Sequence, residues 1–341
     1  MIKNILGKCI EGASLTEQEA KTVMDEVMSG KATESQIASL LTILRFRGET
    51  VDEMTGFARS MRDHVLSIPH EETNVIDTCG TGGDQSSTYN ISTASAIALS
   101  SFGLKVAKHG NRSVSSKSGS ADVLEQLQIS VQTTPDAASE SLRRNGMAFL
   151  FAPLYHVAMK HAVNPRKEIG FRTIFNLLGP LTNPANAEAQ VIGVFNKEYG
   201  LKMAETLQRL GTRRALFVTG EDGLDEITIT GRSFITEVNN GKITQYEIKP
   251  EDLGAKTAEL KEVQVSTPKA SADLIKAVFS GKAAGPAADI LLLNVAAGLY
   301  IAGHTDSLAA GFQEGKQALI EGSYLKQLTI LQDEKVEEQH A

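Results

Sequence analysis

The chain has 341 residues, of which 41% are hydrophobic and 22% are charged. These values are typical of a globular protein of about two domains and exclude disordered, collagen-like and disulfide-rich chains, while the formal charge of −7 argues against a general nucleic-acid binder. Two cysteines, no apolar leader and no apolar run long enough for a bilayer predict a cytoplasmic protein without membrane association.

The first 67 residues contain only helical patterns. Three capping-box motifs, Ser14-Leu-Thr-Glu17, Thr33-Glu-Ser-Gln36 and Thr50-Val-Asp-Glu53, each precede an apolar run with helical spacing. We therefore predict a small all-helical domain over residues 1–67. A segment with Pro69 and adjacent acidic residues, 67–74, is the expected linker.

After residue 74, short apolar runs alternate with helical patterns, which predicts a larger α/β domain with a mainly parallel sheet covered by helices. The predicted strands are residues 75–79, 106–109, 129–132, 147–152, 190–195 and 215–219, and the helices between them include 93–102, 135–145 and 201–210. Residues 233–238 and 242–248 flank Asn239-Asn-Gly241, a hairpin signal. Two long helices are expected at 286–303 and 307–328, followed by an acidic tail from Asp333 that we expect to fray.

The first candidate site is the loop Asp77-Thr-Cys-Gly-Thr-Gly-Gly-Asp84, between a predicted strand and a helix. Its glycines let backbone N–H groups turn towards an anion. The loop is neither a dinucleotide fingerprint, because Gln85 stands where a third glycine is needed, nor a Walker loop, because no G-K-[ST] follows. A purely structural turn is the alternative.

Two further loops carry hydroxyl groups and positive charge. Ser92 and Thr93 are expected to cap the next helix, where a phosphate can bind or a hydroxyl can join a metal shell, although a plain cap is commoner. The segment from Lys108 to Ser120 has three long cations and five serines, which favours binding of a small polyanion over a solvated surface.

Acidic and basic candidates lie further along the chain. Asp225 and Glu226 follow a predicted strand, where adjacent carboxylates suit a hydrated Mg²⁺ that also contacts substrate phosphates. The neighbouring Glu221 and Asp222 leave a solvated acidic loop as the alternative. Arg166 and Arg172 can each bind a carboxylate or form a surface ion pair.

Seven motifs together resemble the anthranilate phosphoribosyltransferase family in order and spacing, over about residues 5–330. They are Gly80-Thr-Gly-Gly-Asp84, Asn90-Ile-Ser-Thr93, Lys108-His-Gly-Asn-Arg112 with Ser115-Ser116, Gly119-Ser-Ala-Asp122, Arg172-Thr-Ile-Phe-Asn176, Gly179-Pro-Leu-Thr-Asn-Pro184 and Asp222-Gly-Leu-Asp-Glu226. Gln85 and Tyr89 depart from the family, which usually has Gly and Phe there, and Gln85 is expected to stiffen the diphosphate loop.

The resemblance implies an enzyme that joins anthranilate to 5-phosphoribosyl-1-diphosphate (PRPP), the second step of tryptophan synthesis from chorismate. It implies a homodimer formed through the helical domain, with residues 1–67 joined by about 166–184 and an α/β domain of 74–165 and 185–341. It also implies up to two Mg²⁺ per subunit, held by Ser92, Asp225 and Glu226.

The resemblance further assigns substrate contacts. The implied PRPP site comprises Gly80, Gly83, Asp84, Thr88, Asn90, Ser92, Thr93, Lys108, His109, Gly110, Asn111, Arg112, Ser113, Ser115, Ser116 and Ser120. Anthranilate is expected at Gly80, Asn111 and Arg166, with Arg166 on its carboxylate. No obligatory catalytic base is implied, and Lys108 with Mg²⁺-bound groups would stabilise the transition state.

Two other functions stay open at this point. One is a pyrimidine-nucleoside phosphorylase-like enzyme, whose glycine and lysine motifs differ from those quoted. The other is a non-catalytic paralogue that binds a ligand or nucleic acid, which loss of Lys108, Arg166 or the Asp225-Glu226 pair would support. All four residues are present.

Overall fold

The computed structural model describes residues 1–84, 86–113 and 118–340, and it describes side chains as far as residue 334. The expectations for Gln85, Ser115 and Ser116 therefore lie outside the described residues. A helical bundle and an α/β domain with a mostly parallel sheet are present, as the sequence predicts.

Four helices form the N-terminal bundle: α1 (Ile2–Ile10), α2 (Glu17–Met28), α3 (Glu34–Arg47) and α4 (Val51–Asp63). The capping boxes at Thr33 and Thr50 are confirmed, since each threonine accepts a hydrogen bond from the backbone N–H three residues later. The prediction of a cap at Ser14 is wrong by two residues. Thr16 caps α2 instead, because the Glu19 carboxylate reaches back to the Thr16 N–H at 2.9 Å.

Seven strands form one sheet in the order β3-β2-β1-β4-β5-β6-β7. Their bounds are β1 (Ile76–Gly80), β2 (Val106–Gly110), β3 (Met147–Phe151), β4 (Ala189–Gly193), β5 (Arg214–Gly220), β6 (Ser233–Asn239) and β7 (Lys242–Ile248). The first five strands are parallel, and β6 and β7 add an antiparallel hairpin at one edge. The hairpin is confirmed, with a positive φ at Asn240 and Gly241 in its turn.

Further helices follow the strands along the chain, some of them lying on the sheet and others on the helical bundle or on one another. They are α5 (Ile91–Ser100), α6 (Ser120–Gln126), α7 (Pro135–Asn145), α8 (Ala152–Tyr155), α9 (Lys160–Ile169), α10 (Ile174–Leu178), α11 (Lys197–Arg209), α12 (Pro250–Leu253), α13 (Pro268–Phe279), α14 (Pro286–Ile301), α15 (Leu308–Ile320) and α16 (Ser323–His340). Short 3-10 helices occur at Val157–Met159, Gly179–Leu181 and Leu260–Val263. No helix in the described part of the chain is long and apolar enough to span a bilayer.

Three predicted elements differ from the structure. Residues 129–132 form no strand, because this segment pairs with no strand of the sheet, although Ile129 and Val131 are buried. The single helix expected over 307–328 is two helices, which meet at Gly322 with a φ of 75°. The tail does not fray from Asp333, since α16 continues to His340 through a sequence rich in helix-forming Gln, Glu and Lys.

The sheet is buried on both faces, and the two faces contact different partners. Ile76, Val191 and Leu216 pack in one apolar cluster with α5 and α14. Ile192 and Phe217 point to the opposite face and pack in a second cluster with α11 and the helical bundle. The later helices α9 and α10 also pack on the bundle, α9 against α2 and α3 and α10 against α3 and α4. Between them lies the segment around Arg172, which leads the chain back towards β4.

Candidate functional site

The candidate site lies where β1, β2 and β5 end, at the carboxyl edge of the parallel strands, which is the usual ligand edge of such a sheet. Three segments meet there: the glycine loop after β1, the first turn of α5, and the acidic turn after β5. Lys108, in β2, reaches this group through its long side chain. The site is therefore assembled from segments that are far apart in the sequence.

The glycine loop approaches the acidic turn closely. The Gly82 N–H donates a hydrogen bond to Oδ2 of Asp225 at 2.8 Å. A Cβ on Gly80 would lie 2.6 Å from the same oxygen, so only glycine fits there. Gly82 and Gly83 both have positive φ, at 68° and 77°, which glycine adopts without strain. The carboxylate of Asp84 closes the turn by accepting hydrogen bonds from the backbone and hydroxyl of Ser86. The glycines therefore allow both the close approach to Asp225 and the positive φ angles of this loop.

The first turn of α5 faces the acidic turn, but not through a side-chain cap. Asn90 is the N-cap residue and its side chain makes no capping hydrogen bond, so the expectation that Ser92 or Thr93 caps the helix is wrong. Ser92 instead lies in the first turn, where its N–H donates to Oε1 of Glu226 at 3.0 Å. The buried Thr93 hydroxyl has no hydrogen-bond partner among the described residues. Neither hydroxyl caps the helix: that of Ser92 accepts a hydrogen bond from Lys108, and that of Thr93 is buried.

Asn90 and Thr88 join this region to the C-terminal half. The Asn90 N–H donates to the Ser271 hydroxyl at 2.9 Å, and Oδ1 of Asn90 accepts from the hydroxyls of Ser271 and Ser118 at 3.0 and 2.7 Å. Thr88 forms an isolated antiparallel bridge with Gln264. Ser271 is fully buried and had no distinguishing signal in the sequence.

Lys108 is buried beneath the site. Its Nζ donates hydrogen bonds to the carbonyl of Thr78 and to the hydroxyl of Ser92, the latter at 3.3 Å. Burial lowers the pKa of the Lys108 ammonium, while the nearby Asp77 carboxylate opposes that shift. Asp77, also fully buried, accepts a hydrogen bond from the His109 N–H at 3.1 Å. The buried Lys108 and the buried Asp77 therefore lie in the neighbouring strands β2 and β1, below the site.

The segment after β2 contains both predicted and unexpected contacts. Gly110 lies against Phe149, which a Cβ would approach to 2.8 Å. Asn111 is exposed, and its Oδ1 accepts the N–H of the next residue. The Arg112 guanidinium is held by Asp122 at 3.0 Å and Glu125 at 2.6 Å, an arrangement that the sequence did not indicate.

The Asp122 carboxylate also binds backbone groups further along this segment. Oδ2 of Asp122 accepts the N–H groups of Ser113 and Gly119, at 3.0 and 3.1 Å. Ser120 begins α6 and lies beside Gly110. The segment is thus anchored at both ends by Asp122.

Two buried histidines adjoin the segment. The rings of His109 and His156 have centroids 5.0 Å apart, and Nε2 of each has no hydrogen-bond partner in the described part of the chain. Burial lowers the pKa of His109 to about 3, with a further contribution from His156, and burial lowers the pKa of His156 to about 4. Both rings are neutral at pH 7, and His156 was not singled out from the sequence.

The acidic turn carries two half-buried carboxylates side by side. Burial, followed by the nearby Asp84 charge, raises the pKa of Asp225 to about 7. Burial and the adjacent Asp225 raise the pKa of Glu226 to about 8. Asn294, on α14, fixes this turn, since its amide accepts the Ile227 N–H at 2.9 Å and donates to the Ile227 carbonyl at 3.1 Å. The only signal for Asn294 was a polar residue inside an apolar run.

The neighbouring acidic residues have other partners. Glu221 forms an exposed ion pair with Arg232 at 3.0 Å. Asp222 accepts hydrogen bonds from the hydroxyls of Thr228 and Thr230, both at 2.7 Å. The alternative of a solvated acidic loop therefore applies to Glu221, whereas Asp225 and Glu226 face the interior.

This donor set fits Mg²⁺. Two like charges buried next to each other are costly, and a divalent cation would remove that cost. Within the described residues there is no group of three or more His, Cys, Asp or Glu side chains placed to hold a metal. Mg²⁺ usually takes one or two protein carboxylates and completes its octahedron with water and substrate phosphates, so Asp225, Glu226 and the Ser92 hydroxyl are a sufficient protein contribution.

Arg166 and Arg172 come from the helices that pack on the bundle. The Arg166 guanidinium lies 5.3 Å from the centroid of the Phe175 ring, and burial lowers its pKa. The Arg172 guanidinium lies 4.6 Å from the centroid of Phe195. Over residues 1–84, 86–113 and 118–340, neither arginine forms an ion pair, so the expected alternative of a surface ion pair is not observed.

Comparisons with known proteins agree over the whole chain. The helical bundle domain of a glycosyl transferase family matches residues 3–65, and the a/b domain of that family matches residues 72–325. An anthranilate phosphoribosyltransferase from Halalkalibacterium halodurans is 57% identical over 342 residues, covering 100% of both chains.

Solved structures agree as well. The crystal structure of anthranilate phosphoribosyltransferase from Thermus thermophilus has a TM-score of 0.91 and 40% identity, covering 97% of this chain and 98% of that one. The Saccharomyces cerevisiae enzyme, in complex with PRPP and Mg, has a TM-score of 0.89 at 24% identity, with 98% of each chain covered, and so supports the fold alone.

Proposed function

This chain belongs to the anthranilate phosphoribosyltransferase family of glycosyl transferases, and we propose that the site described above joins PRPP to the amine of anthranilate. The products are N-(5-phosphoribosyl)anthranilate and diphosphate, in the second step of tryptophan synthesis from chorismate. One observation carries the proposal: Lys108, Ser92 and the Asp225-Glu226 pair are linked by hydrogen bonds around a glycine loop shaped to approach an anion. That arrangement suits a magnesium diphosphate.

PRPP is assigned to the glycine loop, the start of α5 and the segment after β2. Its proposed contacts are Gly80, Gly83, Asp84, Thr88, Asn90, Ser92, Thr93, Lys108, His109, Gly110, Asn111, Arg112, Ser113, Ser115, Ser116 and Ser120. Backbone N–H groups of the loop and the Lys108 ammonium would stabilise the charge that develops on the diphosphate as the bond to the ribose breaks. Because the Arg112 guanidinium is held by two carboxylates, we assign Arg112 to PRPP through its backbone.

Up to two Mg²⁺ per subunit are proposed, with Ser92, Asp225 and Glu226 as protein ligands, directly or through water. Bound Mg²⁺ supplies positive charge to the diphosphate oxygens. The two carboxylates are half-buried, and Asn294 fixes the turn that carries them. Lys108 partly balances Glu226 until the metal and substrate bind.

Anthranilate is assigned to Gly80, Asn111 and Arg166, with the Arg166 guanidinium on its carboxylate. An aromatic amine is uncharged near pH 7 and attacks without first losing a proton, so no residue is proposed as an obligatory base. Catalysis then rests on holding both substrates in line and on stabilising the leaving group. The neutral His109 and His156 add no charge close to the site.

We also propose a domain division, an oligomeric state and a cellular location for the chain, all from its membership of the family. We divide it into a helical domain of residues 1–67 with about 166–184, and an α/β domain of 74–165 and 185–341. Large apolar side chains such as Phe46 and Ile10 are 94% and 73% exposed on the helical bundle. A cytoplasmic homodimer that pairs through this domain would cover them. Static light scattering at micromolar concentration would return twice the chain mass, and a monomer mass would refute the dimer.

A fluorescence assay tests the reaction itself. Purified protein is mixed with PRPP, Mg²⁺ and anthranilate, and the loss of anthranilate fluorescence is followed. We expect turnover that requires all three, together with near-complete loss in Lys108→Met, which keeps an unbranched side chain but removes the charge. Absence of turnover by the folded wild-type protein would refute the proposed function.

A further inference from the structure

Arg172 lies at the point where the helical domain meets the glycine loop. It follows the end of α9 and directly precedes Thr173, the N-cap residue of α10. The guanidinium is half-buried and stacks on Phe195, with Cζ 4.6 Å from the ring centroid. It has no hydrogen bond or ion pair to any part of the chain that the structure describes. Within the described residues, its contact with the Phe195 ring is therefore a cation–π contact without a competing carboxylate.

The same guanidinium also lies close to the glycine loop. A Cβ placed on Gly83 would lie 2.6 Å from Nε, 2.8 Å from Nη2 and 2.9 Å from Cζ of Arg172. The backbone of Gly83 therefore lies close against the Arg172 guanidinium. Glycine adopts the φ of 77° at Gly83 without strain, and a larger residue there would also have to push the Arg172 guanidinium aside.

Phe195 is itself fixed from both sides. Its N–H donates to the hydroxyl of Thr81, in the glycine loop, at 3.4 Å. Its ring packs against Tyr199, with centroids 5.5 Å apart, and the Tyr199 hydroxyl donates to the buried Glu49 at 3.1 Å. Glu49 lies just before α4 of the helical bundle. A continuous set of contacts thus runs from the bundle through two rings and Arg172 to Gly83.

We propose that Arg172 is a positioning residue for the diphosphate of PRPP: stacked on Phe195, it supports the Gly82–Gly83 turn and keeps the loop N–H groups in their binding arrangement. The loop has three glycines in five residues and would otherwise lose much conformational entropy when it binds an anion. Support from a rigid planar side chain reduces that loss. This inference rests on the proposed function only in assigning the loop to diphosphate.

Arg172→Ala tests the inference through a split between the two substrates. We expect the KM for PRPP and the Kd for inorganic diphosphate with Mg²⁺ to rise about tenfold, while the KM for anthranilate changes less than about twofold. Arg172→Lys keeps the charge without the plane and should recover little of the loss. Phe195→Leu, which removes the stacking surface but leaves the arginine, should raise the same two constants. Arg166→Ala is the matched control: it should raise the KM for anthranilate and leave the KM for PRPP nearly unchanged.

Hydrogen exchange supplies a readout that does not depend on catalysis. Backbone amides of the glycine loop should exchange faster in Arg172→Ala than in wild type, whereas amides in the central strands should not change. An unchanged loop exchange rate together with an unchanged diphosphate Kd would overturn the inference. If wild-type protein fails to consume anthranilate, the proposed function fails separately, and the exchange and diphosphate measurements still decide the role of Arg172.

Discussion

Replacing Arg166 by alanine is the sharpest test of the proposed anthranilate site. Arg166 lies on α9, which packs on the helical bundle, whereas the proposed PRPP contacts come from the edge of the sheet. Its guanidinium is oriented by the Phe175 ring and forms no ion pair within the described ranges. Burial lowers the pKa of this arginine because its charged form has lost part of its hydration, and in the free protein nothing described replaces that hydration with an opposite charge. An arriving carboxylate would provide that opposite charge.

The expected size of the effect follows from this arrangement. A guanidinium binds a planar carboxylate through two parallel hydrogen bonds, and loss of a charged hydrogen-bonding partner costs roughly 1.5–3 kcal/mol, or about a 10- to 150-fold change. Arg166→Ala should therefore raise the anthranilate KM by that factor. PRPP affinity should stay within about twofold, since the substitution leaves the glycine loop and Lys108 in place. Arg166→Lys keeps the charge but cannot form two parallel hydrogen bonds, so its anthranilate KM should lie between the values for wild type and Arg166→Ala.

Steady-state kinetics with each substrate varied in turn measures both effects. The fluorescence assay is run with saturating PRPP while anthranilate is varied, and then the reverse, with thermal unfolding as a check that the variant is folded. An effect below about 1 kcal/mol on anthranilate would indicate only a peripheral charge. A variant that loses PRPP affinity but keeps its anthranilate KM would show that Arg166 serves the other substrate.

Three further predictions concern the metal, the acidic turn and pH. Replacing both Asp225 and Glu226 by alanine should abolish Mg²⁺-dependent turnover without unfolding the protein, and unchanged turnover at limiting Mg²⁺ would remove both residues from the site. Asn294→Ala leaves two buried backbone groups unpaired and should lower the free energy of unfolding by about 2–4 kcal/mol in urea titrations; a loss below about 0.5 kcal/mol would contradict the assigned hydrogen bonds. His109 and His156 have lowered folded-state pKa values of about 3 and 4, so the unfolded chain binds more protons below about pH 6.5. Their stability contribution is complete above that pH and should be lost on acidification, on the order of 2 kcal/mol per histidine by pH 5, and His156→Gln should remove about half of this acid dependence.

Local patterns in the sequence determined most of the elements. The capping boxes at Thr33 and Thr50 and the hairpin around Asn240 depend on residues three or fewer apart, and each is where its motif predicted. The family motifs likewise pointed to Lys108 and to the Asp225-Glu226 pair before any coordinates. The capping boxes and the hairpin are predictable because their hydrogen bonds form between residues close together in the chain.

Tertiary structure decided what depends on distant neighbours. Residues 129–132 have the composition of a strand but no strand beside them, and a strand is stable only when its backbone groups pair. The Arg112 guanidinium pairs with Asp122 and Glu125, a contact that the sequence did not indicate. Asn294 and Arg172 gained their contacts only when segments more than 60 residues apart in the chain met, with Ile227 and Gly83 respectively. The spacing of residues in a single sequence does not predict such long-range contacts, because they depend on how the sheet, its helices and the bundle pack together.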